Sequence, residues 1–145
     1  MRHRLLVHLT WTTRERQPRI DAGVARFLAR FLPAVARQER AEVLALGLVT
    51  THVHLLLRLH PATVISRLVQ RLKGGSAVLA TRENHTAPGR PLRWAKGYNI
   101  ESVSWRAAGV VASYIRDQAV RHPDQAIKDW SGDIASATER AEPRL

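Results

Sequence analysis

The chain has 145 residues, no cysteine, and 23 Lys and Arg against 12 Asp and Glu, a net charge of +11. Such a length suits one compact domain, and the missing cysteines exclude disulfides, thiolate zinc sites and cysteine nucleophiles. No apolar run approaches the roughly 18 residues that cross a bilayer, and Arg14, Glu15 and Arg16 break any signal-peptide layout, so a cytoplasmic protein without a membrane partner is expected.

Leu5 to Thr13 reads as a first strand, closed by the polar break at 14–18. Asp21 is a candidate N-cap for a helix to about Gln38, in which Val24, Phe27, Leu28, Phe31, Leu32 and Val35 make a core stripe. Pro33 falls inside that pattern and is expected to kink or interrupt it. Val43 to Thr50 and His52 to Leu59 read as two strands, and the short Thr50-Thr51 link predicts an antiparallel hairpin. Pro61 is expected to open a second helix reaching about Leu79, weakened midway by Gly74-Gly75. Residues 82–91 form an expected mobile loop, Tyr98 to Val103 a fourth strand, and Ala107 to Arg121 a third helix stopped by Pro123.

The order β-α-β-β-α-β-α predicts an α+β fold, a ferredoxin-like split βαβ with an antiparallel sheet and an additional C-terminal helix carrying Tyr114. The domain should occupy residues 1–122, with 123–145 a peripheral tail.

The charge is concentrated in residues 1–128, where 21 basic residues against 8 acidic ones give +13. Arginine-rich usage, 20 Arg against 3 Lys, is the bland account; an excess of this size points instead to a polyanion whose counterions are released on binding. On a strand, His52 and His54 project to one face, the beginning of a metal site. Two histidines alone are more often structural, so a third ligand matters. Gln118, four residues after Tyr114, shares its helix face and offers a carbonyl oxygen; Arg121 lies on that face as well. The ordinary alternatives are a half-buried tyrosine with a satisfied hydroxyl and a solvated glutamine. Imidazole ligands suit zinc, copper or nickel, whereas amide oxygen, water and phosphate suit magnesium or manganese. Trp94 and Trp105 could stack on bases, although core packing is the weightier reading for both.

Taken together, Thr51-His52-Val53-His54-Leu55-Leu56 resembles the His-hydrophobic-His motif of single-tyrosine HUH transposases, and Tyr114-Ile115-Arg116-Asp117-Gln118 resembles that family's nucleophile helix. Trp11-Thr12-Thr13-Arg14, Leu72-Lys73-Gly74 and Trp94-x-x-Gly97-Tyr98 leading to Ser102-Val103-Ser104 agree in order. The stretch ending at His122 is similar to that of REP-associated tyrosine transposases. The resemblance spans about Leu5 to His122 and leaves out 82–91 and the tail.

It implies that His52, His54 and Gln118 bind Mg²⁺ or Mn²⁺, and that Tyr114 attacks a phosphate of single-stranded DNA to leave a 5′-phosphotyrosine. It also implies recognition of hairpin DNA, a homodimer whose subunits share active sites, and association with the nucleoid of a prokaryotic cell. Arg14, Arg67, Arg71, Lys73 and Arg121 are the candidate DNA-binding residues. Two alternatives stay open: a domesticated hairpin-DNA-binding protein that does not cut, and an HUH replication initiator or relaxase.

Overall fold

The computed structural model describes residues 3–130. Its elements are β1 (Leu5–Thr12), α1 (Ala22–Gln38), β2 (Ala41–Val49), β3 (His52–Leu59), α2 (Ile65–Arg82), β4 (Asn99–Val103), α3 (Ala108–Arg116) and α4 (Gln118–Arg121). Short 3-10 turns occupy Arg14–Arg16, Trp105–Ala107 and Pro123–Gln125.

The four strands form one sheet in the order β2-β3-β1-β4, with every neighbouring pair antiparallel. This is the ferredoxin-like arrangement expected from the element order. Residues alternate across the sheet. Val53, Leu55, Leu57 and Leu59 of β3 enter the main core with Leu9 and Trp11 of β1. Helices α1 and α2 cover that side through Val24, Phe27, Leu28, Leu32, Leu68 and Leu72. On the opposite face Leu6, Ala45 and Leu56 pack against Ala112 and Ile115 of α3. The helix beyond the split βαβ core thus closes the second face.

Asp21 caps α1 as expected, its carboxylate accepting from the Val24 amide at 3.0 Å. Pro33, expected to kink or break the helix, lies within one unbroken helix. The flanking Leu28, Leu32, Val35 and Ala36 are buried, and their packing outweighs the lost hydrogen bond. Helix α2 begins four residues after Pro61 rather than at it. Pro61 sits in a turn closed by the Thr63 amide donating to the His60 carbonyl at 2.9 Å, while the His60 ring accepts from the Ala62 amide. Gly75 does not break α2 and serves packing: a Cβ there would stand 2.8 Å from the Phe31 ring.

The third helix departs most from expectation. It is divided at Asp117 (φ −90°, ψ 16°) into α3 and the single turn α4. The cause lies on β2. A Cβ on Gly47 would fall 2.0 Å from the Ile115 carbonyl oxygen, so the end of α3 rests directly on the sheet backbone. The chain then turns, and the Gln118 side chain donates to the Tyr114 carbonyl at 3.0 Å.

The tail expected to be peripheral from Pro123 is packed at its start. Ile127 is buried in the main core, and the Thr50 amide donates to the Gln125 carbonyl at 2.9 Å. Residues 131–145 lie outside the described residues.

Candidate functional site

Gly47 pairs with His54 across the β2–β3 ladder. The close approach it permits therefore brings the α3–α4 break over the two histidines. Tyr114, Gln118 and His122 reach His52 and His54 in one cleft of about 300 Å³, walled also by Thr10, Thr12, Arg16 and Gln125. The His52 and His54 ring centroids are 4.9 Å apart, and Tyr114 stands 6.3 Å from His54. His122 lies 5.9 Å from His52. One chain alone assembles this constellation.

Each histidine is oriented from behind. His54 Nδ1 hydrogen-bonds His8 Nε2 at 2.9 Å, and His52 Nδ1 meets the Thr51 hydroxyl at 3.0 Å. In both rings Nδ1 is engaged from behind, the arrangement that orients a ligating imidazole. Burial lowers the pKa of His54 to about 3, helped by the neighbouring charges of His52, His8 and His122. Burial lowers that of His52 too; the Gln118 amide opposes this, and His122 and Arg16 add to it. Both rings are consequently neutral near pH 7, the form that binds metal.

Gln118 is 1% exposed, and its Oε1 has no hydrogen-bond partner meeting normal geometry among the described residues. A buried amide oxygen without a donor is costly. Beside two neutral imidazoles it completes a mixed nitrogen and oxygen donor set that fits a divalent cation. Among the described residues no group of three His, Cys, Asp or Glu side chains is placed to hold a metal, so the amide is essential to that fit.

Tyr114 is 38% exposed, and its hydroxyl makes no hydrogen bond among the described residues. The Arg121 guanidinium lies over its ring, 4.6 Å from the centroid. The structure thus brings Tyr114, His52, His54 and Gln118 into one cleft, with Arg121 over the Tyr114 ring, and places Tyr114 and Gln118 on two helices rather than one.

The other basic candidates lie elsewhere. Arg67 and Arg71 of α2 pair with Glu39 at 3.0 and 2.7 Å. Lys73 donates to the Ala95 and Gly97 carbonyls at 2.8 and 2.5 Å, and burial lowers its pKa. Arg14 lines a neighbouring cleft. Trp94 packs edge-on against Trp11 and donates to the Ser76 hydroxyl at 2.9 Å, whereas Trp105 is 47% exposed.

Sequence reasoning passed over His8, Thr51, Arg16 and Gln125. His8 could have been found by alternation, since it shares the face of Leu6 and Thr10 opposite the core-facing Leu9 and Trp11. Its contact with His54 needs the cross-strand register, Thr10 opposite His54.

Comparisons with known proteins bear on the fold and the family. Residues 1–118 match the family model described as "Transposase IS200 like". A candidate transposase from Deinococcus radiodurans of known crystal structure is 30% identical, with a TM-score of 0.62 over 81% of this chain and 93% of that one. A REP-associated tyrosine transposase, solved bound to a REP hairpin, shares the fold with a TM-score of 0.65 at 15% identity, over 84% of this chain and 72% of that one. No curated protein sequence gives a significant match. The chain belongs to the IS200-like transposase family.

Proposed function

We propose that this transposase is a divalent-metal-dependent strand transferase that cleaves and rejoins single-stranded DNA at hairpin-bearing ends through a 5′-phosphotyrosine on Tyr114. The convergence of two neutral imidazoles, an unpartnered amide oxygen and an exposed phenol in one cleft carries this reading. His52, His54 and Gln118 would hold Mg²⁺ or Mn²⁺, which when bound withdraws charge from a phosphate.

The chain's own residues supply the rest. His8 and Thr51 hold the two rings by their Nδ1 atoms. The Tyr114 oxygen attacks phosphorus and loses its proton; the bond to the 3′-oxygen breaks, and that oxygen leaves as a hydroxyl after taking a proton. Arg121, stacked on the ring, is placed to meet the developing phosphate charge. A phenol, with a pKa of roughly 10, is a better leaving group than an alkoxide when the strand is rejoined. The ester energy is kept in the covalent intermediate, so no nucleotide triphosphate is needed.

The homodimer with shared sites remains part of the proposal, although one chain already brings the nucleophile to the histidines. The test is incubation with labelled single-stranded hairpin DNA and Mn²⁺, resolved on a denaturing gel. A covalent adduct lost with EDTA and in Tyr114→Phe supports the reading. Hairpin binding indifferent to EDTA, with no adduct under any metal, would make the protein a non-cleaving DNA binder.

A further inference from the structure

A second cleft, of about 330 Å³, adjoins the catalytic one and takes no part in the chemistry just described. Arg14, Glu15, Gln17, Arg19, Pro91 and Arg93 line it. Arg16 lines the catalytic cleft instead. Because Arg14–Arg16 form a single 3-10 turn, the two clefts share one wall.

The turn is built against local preference. Glu15 (φ 57°) and Arg16 (φ 53°) both adopt left-handed backbone, which costs free energy at any residue bearing a Cβ. Its surroundings hold it there. The Thr13 hydroxyl donates to the Gln17 carbonyl at 2.6 Å, the Arg16 amide to the Thr13 carbonyl at 3.1 Å, and the Arg14 amide to the Arg93 carbonyl at 2.9 Å. Arg90 ties the opposite wall down by donating to the Pro18 carbonyl at 2.9 Å. The result is that two arginines two residues apart serve two adjoining clefts.

These charges are unpaired, unlike those of Arg58, Arg67 and Arg71. Arg58 pairs with Glu42, and Arg67 and Arg71 share Glu39. Among the described residues Arg14, Arg16 and Arg93 form no ion pair and no side-chain hydrogen bond, and Arg19 meets only the neutral Gln17 amide at 2.8 Å. Glu15 is the one carboxylate in the second cleft, against three guanidiniums. Planar guanidinium forks suit phosphate oxygens.

We propose that the Arg14, Arg19 and Arg93 cleft binds the phosphates of the single DNA strand flanking the reactive one, with Arg16 bridging the two clefts. This rests on the strand-transfer reading and adds a path for the substrate. It makes the strained turn a divider that steers successive phosphates of one strand into two places.

The full-length protein with Tyr114→Phe, which cannot form an adduct, is titrated into fluorescent oligothymidylates of four and twelve nucleotides. Adding Arg14→Ala with Arg93→Ala should weaken binding of the longer probe about tenfold and leave the shorter within about twofold. The dependence of log affinity on log salt should fall by roughly 0.7 for each phosphate that is no longer neutralised. Arg26→Ala with Arg30→Ala removes equal charge from exposed positions of α1 and should leave the longer probe nearly unaffected. Arg14→Lys with Arg93→Lys should recover most of the affinity, and Arg14→Gln with Arg93→Gln serves if the alanine variant does not fold. Equal losses on both probes, an equal loss in the α1 control, or no loss at all would overturn the proposal. Because cleavage is not read, such a failure leaves adduct formation by the wild type standing. Absence of the adduct would instead remove the catalytic reading.

Discussion

On its face toward α1 and α2, β3 presents Val53, Leu55, Leu57 and Leu59 to a core that includes 23 buried described residues. On the other face it presents His52, His54, Leu56 and Arg58, and the buried apolar cluster there has five members. The same strand therefore supports a thick hydrophobic layer on one side and a thin one on the other. A thin layer leaves room for a cleft, and it lets polar side chains be held by a few hydrogen bonds rather than excluded. It also depends on single contacts. The helix on the thick side continues through a proline, whereas the helix on the thin side breaks where it meets Gly47.

Adjacent residues of β3 offer the largest contrast. Leu55→Ala should destabilise the fold by roughly 2–5 kcal/mol in a denaturant titration. His54→Ala should lower adduct formation by about 100-fold or more while changing stability by about 1 kcal/mol or less. Similar stability losses for both variants would remove the distinction between the faces.

Gly47→Ala sharpens the same contrast from β2. Its methyl group would meet the Ile115 carbonyl at 2.0 Å, a backbone atom that can yield only if α3 moves. A loss of about 1–3 kcal/mol is expected from the overpacking. Adduct formation should fall further than the stability loss explains, because the displaced helix carries Tyr114.

The histidines set a pH dependence on the thin side. The His54 pKa is lowered from 6.5 to about 3, and those of His8 and His52 are lowered too. Below pH 6.5 the unfolded chain takes up protons that the folded chain resists, so stability falls as pH drops from 6.5 toward 3. The melting temperature should decline across that window, and less so in His54→Asn. A melting temperature that rose as the pH fell would contradict the burial of these rings. The smallest effect belongs to the thick side: Pro33→Ala should stabilise the protein by about 1 kcal/mol, read from the denaturation midpoint, since it restores a helix donor.

Much of this was legible where periodicity governs. The alternation of β3 and the apolar stripe of α1 set their faces, and Asp21 marked the start of its helix, because each depends on near neighbours in sequence. The tyrosine helix was misread as continuous since its break comes from Gly47, some seventy residues away along the chain, and no local breaker announces it. Arg67, Arg71 and Lys73 showed their charge in the sequence but not their partners, Glu39 and the Ala95 and Gly97 carbonyls. His8 needed the strand register to be seen behind His54.

Location of bound Mn²⁺ by anomalous diffraction, in crystals soaked with the ion, tests the central claim most directly. A single strong peak within coordinating distance of His52 Nε2, His54 Nε2 and Gln118 Oε1, with the Tyr114 hydroxyl facing the same cleft, is the predicted result. A peak confined to another histidine pair such as His3 and His60, whose rings lie 5.1 Å apart, would contradict it.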